Sequence, residues 1–244
     1  MRNIYMSIVF PAYNEMSRIQ NALEQSTEFF KHWSTLNFEI IIVENGSTDN
    51  TYQYALDLAH NLGNNNVSIR VDRSTKGKGS ALRLGMELAQ GEYILLTDVD
   101  LSTPIDNIMR LLNGVASGAD VVIGSRNMKE SIVVGRSTDR RLAGNVFGTF
   151  ARILTPGITD TQCGFKLLTN KAYKMIGPLM TLDGFAFDVE LLFIARKLGY
   201  HIIEVPVLWT HNPESKVNLV ADSFKMARDL VKIVSNNVLG RYRV

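Results

Sequence analysis

Glu92-Tyr93-Ile94-Leu95-Leu96-Thr97-Asp98-Val99-Asp100 (92–100) decides the fold reading. Four consecutive apolar or aromatic residues, too few for a helix, run into two carboxylates. A strand apolar on both faces belongs in a parallel sheet covered by helices on both sides. Working outward, similar short runs recur over 4–10, 38–44, 67–72 and 119–124, and the central one spans 92–98. Amphipathic stretches over 16–33, 49–61, 79–90 and 104–117 fall between them. This alternation predicts an α/β fold, a mostly parallel sheet flanked by helices. Ser47-Thr48-Asp49 and Ser102-Thr103-Pro104 supply start signals for two of the helices, with Pro104 suited to a first turn.

The second half changes character. Residues 129–139 are polar and read as a mobile loop; helices follow over 140–154, 185–198 and 216–234, with a strand over 201–209. The last helix sets Val220, Phe224, Ala227, Val231 and Val234 at helical spacing, with Asp222, Lys225, Arg228 and Asp229 off that stripe. The pattern predicts a stripe packed on the sheet and not a membrane anchor. Without repeats or linkers, residues 1–244 read as a single domain.

Composition narrows the function. Lys+Arg 26 against Asp+Glu 24 leaves a net charge of +2, too small an excess for a general polyanion binder, so no nucleic acid partner is expected. The single Cys163 excludes an intrachain disulfide and fits a reducing, cytoplasmic compartment. The stretch 4–10 is too short for a signal-peptide core and ends at Pro11, and no run approaches the ~18 apolar residues of a membrane span.

In an open parallel sheet, ligands bind outside the carboxyl ends of the strands. That edge collects Pro11-Ala12-Tyr13-Asn14-Glu15, Glu44-Asn45-Gly46-Ser47, Lys76-Gly77-Lys78-Gly79, Asp98-Val99-Asp100 and Gly124-Ser125-Arg126. Carboxylates two apart at a strand end point the same way, and oxygen donors suit Mg²⁺ or Mn²⁺ completed by substrate phosphates. The Lys76–Ser80 run lacks the glycine spacing of a phosphate loop, yet a lysine beside a helix N-terminus could meet a diphosphate. Asp188 and Glu190 open a helix, either as acids favoured by its dipole or as a catalytic or acceptor-orienting carboxylate.

Taken in order, SIVFPAYNE (7–15), IIIVENGSTDNT (40–51), KGKGSALRLGMELAQGEYILLTDVD (76–100) and VVIGSR (121–126) resemble family 2 glycosyltransferases of the GT-A (Rossmann-like) fold. DTQCGFKLL (160–168) and GFAFDVELLFIARKLGYHIIEVPV (184–207) resemble the dolichyl-phosphate sugar synthases among them, more the glucosyl than the mannosyl branch. The resemblance implies a nucleotide-sugar donor, UDP-glucose favoured, and a polyprenyl phosphate acceptor at a membrane surface. It implies that Pro11, Tyr13 and Glu15 line the base and ribose, with Glu44, Gly46 and Ser47 beside them. Glu44 stands where an aspartate is usual, reading the uracil N–H with one methylene more. Lys76 and Gly77 would lie near the phosphates. Asp98 and Asp100, with Val99 between, would hold metal and diphosphate. Arg126, Arg140, Arg141 and Asn145 would seat the acceptor phosphate, and Asp188 occupies the usual base region. Asp100, Asp188 and Arg126 are thus the expected catalytic set. The donor half is expected over 1–126 and the acceptor half over 127–244.

Inversion follows if the sugar carbon is attacked opposite the departing diphosphate. Alternatives stay open: a GDP-mannose-dependent mannosyltransferase, transfer to a hydroxyl acceptor, or a non-catalytic nucleotide-sugar binding module. A nucleotidyltransferase or a dinucleotide-dependent oxidoreductase would need glycines after the first strand, where Pro11-Ala12-Tyr13-Asn14-Glu15 has none. The resemblance fits a peripheral protein on the cytoplasmic membrane face.

Overall fold

The computed structural model describes residues 3–135, 148, 150–212 and 219–243, with the side chains of 219–223 excepted. Its main sheet has seven strands in the order β3-β2-β1-β4-β7-β5-β8. These are β1 (Ile4–Ala12), β2 (Asn37–Glu44), β3 (Val67–Arg73), β4 (Tyr93–Leu96), β5 (Val121–Ser125), β7 (Lys166–Thr169) and β8 (Ile202–Pro206). All neighbours are parallel except β7, which runs antiparallel to both β4 and β5. The chain moves outward from β1 through β2 to β3, then returns to β1's other side at β4. Ligand crevices form at such a switch point, here above β1 and β4.

Side chains alternate between two cores. On one face, Val9, Ile94 and Leu96 meet α3 (Lys78–Leu88), α5 (Asn170–Ile176), α6 (Phe187–Lys197) and α7 (Leu219–Val238). On the other, Met6, Ile8, Phe10 and Leu95 meet α1 (Ile19–Lys31), α2 (Thr51–Leu62) and α4 (Ile108–Ala116). Strands apolar on both faces therefore do what the sequence pattern requires.

Several expectations change. The α4 segment opens as a 3-10 turn, Ile105–Asn107, with Pro104 ahead of it in extended conformation. The loop expected over 129–139 contains β6 (Ile132–Val134). The strand expected over 201–209 breaks at buried Val207, so that β8 joins the main sheet while β9 (Leu208–Thr210) pairs with β6 in a separate two-stranded sheet. β7 and α5 went unforeseen. Of the helix expected over 140–154, residues 148 and 150–154 are helical and 140–147 and 149 lie outside the described residues.

The largest correction concerns α7. The stripe expected to face the sheet is instead exposed at Phe224, Ala227, Val231 and Val234, while Met226, Leu230 and Ile233 enter the core. Asp229, expected on the polar face, is buried with them.

Candidate active site

Asp98 and Asp100 do not lie on the strand. β4 ends at Leu96, and Asp98-Val99-Asp100 forms a turn in which Leu101 N–H donates to Asp98 C=O at 3.1 Å. Leu101 sits in the left-handed region at φ +46°, a conformation costly for a non-glycine residue and frequent at functional sites. Ser102 N–H donates to Asp100 Oδ1 at 2.9 Å. Val99 is buried, so its side chain faces the core. The two carboxylates still converge, lining one cleft with Thr97, Ser102, Thr103, Gly164, Phe165 and Trp209.

Gly164 makes room for Asp98. A methyl group there would overlap Asp98 Oδ2 and lie 2.9 Å from its Cγ. On the other side, Lys78 Nζ meets Asp98 Oδ1 at 2.6 Å. Burial works against the Lys78 charge, but Asp98, backed by Asp188 and Asp100, outweighs it and raises the lysine above its usual pKa.

Asp188, on the first turn of α6, is buried and takes a hydrogen bond from Lys166 Nζ. Lys166 is fully enclosed and also donates to Cys163 C=O. Burial pushes the Asp188 carboxyl up, against the pull of Lys166 and Lys78. Asp188 is therefore a held carboxylate beside the cleft and not a solvated first-turn acid. Glu190 takes Thr181 N–H at 2.9 Å, Leu182 N–H at 2.8 Å and Tyr242 O–H at 2.7 Å. It fastens the chain's end to the segment before Asp183.

That segment closes the α3 N-terminus. Gly79 N–H and Ser80 N–H donate to Asp183 C=O at 2.8 and 3.2 Å. Gly77, at φ +136°, lacks the Cβ that would collide with the same carbonyl. The helix-end amides considered for a diphosphate thus have a protein partner.

Arg126 is clamped by Asp160, with Nε and Nη2 each 2.7 Å from its carboxylate and the Arg126 N–H at 2.9 Å. Its guanidinium carbon lies 5.5 Å from the Trp209 ring centre. Burial opposes both charges, yet their pairing raises Arg126 and lowers Asp160. Nη1 is the guanidinium nitrogen not engaged by Asp160. Arg140, Arg141 and Asn145 lie outside the described residues.

A second group gathers where β1, β2 and β3 end. Pro11 is half-buried near the end of β1 and Tyr13 follows it. Lys76 Nζ stands 5.2 Å from the Tyr13 ring centre, and its stem runs beside Gly46, itself at φ +86°. Glu44 Oε1 accepts from Ser47 N–H, while Oε2 is 3.4 Å from Arg73, which stacks on Tyr52. Two carboxylate oxygens offer about four acceptor sites, so a further donor can be accommodated. Ser47 Oγ accepts Asn14 N–H at 3.0 Å, and Glu15 grips Arg18 through both oxygens at 2.7 Å. Sequence reasoning missed Lys78, Asp160, Gly164, Lys166 and Trp209. Lys78 stands in the same short run as Lys76, while Asp160, Gly164 and Lys166 share the stretch 160–168.

Among the described residues no three His, Cys, Asp or Glu side chains form a metal cage. The pair Asp98 and Asp100 nevertheless fits a hard cation that relies on one or two carboxylates plus phosphate oxygens, and Gly164 leaves the Asp98 oxygen its space.

Comparison with known proteins places this geometry. Residues 7–177 match the model of glycosyl transferase family 2. A dolichyl-phosphate beta-glucosyltransferase of Saccharomyces cerevisiae is 36% identical, covering 98% of this chain and 77% of that protein. One from Dictyostelium discoideum is 33% identical, covering 99% and 77%. Among solved structures, glucosyl-3-phosphoglycerate synthase from Mycobacterium tuberculosis, in complex with Mn²⁺, UDP and phosphoglyceric acid, superposes with TM-score 0.68 at 19% identity. That match covers 99% of this chain and 79% of the other, and shows a shared GT-A fold. Sequence motifs, sheet order and these matches agree: the chain belongs to glycosyl transferase family 2.

Proposed function

We propose that the protein transfers one glucose from a nucleoside diphosphate glucose, UDP-glucose by preference, to a polyprenyl phosphate of the dolichyl type, with inversion at the sugar carbon. The observation that carries this reading is the match, at a third or more identity and over nearly the whole chain, to dolichyl-phosphate beta-glucosyltransferases. The donor half is read as 1–126 and the acceptor half as 127–244. The work would be done at the cytoplasmic face of a membrane, by a peripheral protein. Among the described residues no helix is long and apolar enough to cross one.

In the donor half, Tyr13 offers a ring face for the base, Glu44 an acceptor for its N–H, and Lys76 a cation at the same mouth. Asp98 and Asp100 are the residues that would hold Mg²⁺ or Mn²⁺, making transfer metal-dependent. When bound, such an ion supplies positive charge against the diphosphate as it leaves. Lys78, poised on Asp98, places a second positive charge at that spot.

The acceptor simplifies the proton problem. A phosphate monoester has a second pKa of about 6 and is mostly dianionic at neutral pH. No strong base has to deprotonate it. That agrees with a tied Asp188, which can orient the acceptor end and hold Lys166 in place. Arg126, kept charged by Asp160 and backed by Trp209, presents Nη1 for a phosphate oxygen. The test is direct. Purified protein with Mg²⁺ or Mn²⁺ should move radiolabelled glucose from UDP-glucose to a short-chain polyprenyl phosphate. Transfer only from GDP-mannose, or only to hydroxyl acceptors, would overturn the reading.

A further inference from the structure

The stripe that the sequence pattern assigns to the core is the one α7 turns to solvent. Phe224 is 79% exposed, Val231 69%, Val234 46% and Val238 77%, with Ala227 exposed between them. Positions 224, 227, 231, 234 and 238 alternate three and four apart, so they form one ridge about 20 Å long. The opposite side is occupied by Met226, Leu230 and Ile233 in the core, so the helix cannot rotate to hide the ridge. Ordinary monomers rarely leave an apolar run of this length uncovered.

Charge selects the occupant. Arg228, Lys232 and Lys225 line one flank of the ridge, all exposed. The acid among the described side chains of this helix, Asp229, is buried on the core side. Two copies packed ridge to ridge and antiparallel would line these cations along one seam. An acidic surface would match them.

A second outcrop accompanies the first. The helical residues 150–154 bury Ala151 in the same core cluster as Met226 and Ile233, and leave Phe150 57% and Ile153 68% exposed. The end of α6 reaches α7 through Lys197 to Asn237 Oδ1, and the turn just after residues 150–154 through Arg196 to Pro156 C=O. Both outcrops thus belong to one helical layer.

We propose that this face docks on an anionic lipid bilayer, with α7 lying in the interface, its ridge at the boundary between headgroups and acyl chains and its cations on lipid phosphates. The inference deepens the lipid-acceptor reading and rests on it for its purpose, but binding can be measured without either substrate.

The experiment is co-sedimentation of the full chain with vesicles of phosphatidylcholine, alone or mixed with phosphatidylglycerol, with no donor and no polyprenyl phosphate. Binding should require the anionic lipid. Phe224→Glu with Val231→Glu should weaken it at least about tenfold. Lys225→Gln and Arg228→Gln should each weaken it roughly fivefold. Both sets sit on the exposed side, so melting temperature and transfer to a water-soluble short-chain acceptor should stay at wild-type values. Binding indifferent to lipid charge, or unmoved by either set, overturns the proposal. So does a dimer in light scattering that the Phe224→Glu, Val231→Glu variant breaks, because the ridge then belongs to a second copy. No vesicle binding alongside active short-chain transfer sinks the docking proposal alone. Binding without any transfer sustains the docking face and sinks the acceptor reading alone.

Discussion

Gly164→Ala is a single-methyl test of whether the Asp98 carboxylate must stand where it does. The backbone at Gly164 is outside the left-handed region, so alanine is tolerated there conformationally. Its methyl, however, would overlap Asp98 Oδ2 and sit 2.9 Å from Cγ. Non-bonded heavy atoms settle about 3.5–4.0 Å apart, so the carboxylate must retreat by about 1 Å. Asp98 is a flexible side chain, 38% exposed, and can swing away at little cost to the fold. Lys78 would lose its 2.6 Å partner geometry in the same movement. A 1 Å error at a reacting centre costs up to about 100-fold, or about 2.7 kcal/mol in the barrier. We expect kcat/KM for sugar transfer to fall about 100-fold while the melting temperature moves by no more than a few degrees. A double-mutant cycle supplies the control: if Gly164 acts through Asp98, adding Gly164→Ala to Asp98→Ala costs nothing further. Near-normal transfer by Gly164→Ala, or full additivity in the cycle, would refute the reasoning.

Lys166→Met should destabilise the fold by about 3–5 kcal/mol, because it strands the Asp188 carboxylate in the interior without its partner. Urea unfolding measures this, and a loss below about 1 kcal/mol would mean that Asp188 is not held as described. Alkaline pH should unfold the protein in a defined window. Burial raises Tyr173 from 10.0 to about 12 and lifts Tyr242 beyond that range. The folded chain then keeps phenol protons that the unfolded chain gives up. Stability is intact below about pH 10 and falls as pH climbs toward about 12 and beyond. Tyr242→Phe should flatten that slope, and a melting temperature constant from pH 9 to 12 would contradict the assignment. Asp100→Asn should lose most transfer while staying folded, checked by turnover at saturating Mn²⁺ alongside a thermal melt; normal turnover would reduce Asp100 to the turn that Ser102 N–H closes.

The parallel part of the sheet was legible because its chemistry is local. Strands such as 40–43 are apolar at every position, and only burial on both faces explains that. β7 had no such signature. Lys166-Leu167-Leu168-Thr169 opens with a lysine, and the lysine is admitted to the interior only because Asp188, 22 residues later, neutralises it. No periodicity within four residues can report a partner at that distance. The break at Val207 was hidden for a related reason. Residues 202–210 read as one strand, but two different neighbours, β5 and β6, claim its two ends.

The site was legible as a list of residues and less so as an arrangement. Order along the chain placed Asp98, Asp100 and Arg126 near one edge, since strand ends of a parallel sheet share it, while Asp188, on a helix, came to the site only through the family resemblance. Which lysine meets Asp98 depends on facts outside the KGKG run. Asp183 C=O occupies the first amides of α3, and glycines at 77 and 79 let that carbonyl approach. This contact starts the helix at Lys78 and points Lys78 at Asp98, leaving Lys76 outside on Tyr13. The same limit explains α7. Its sequence carries two apolar rows, 224/227/231/234 and 226/230/233, and helical periodicity reveals both without ranking them. The ranking comes from Glu190, which holds Tyr242, and from Asn236, which donates to the Tyr242 and Thr181 oxygens. Those buried polar anchors lie on the side of the second row. They turn it inward, and the first row is left to meet whatever lies outside the protein.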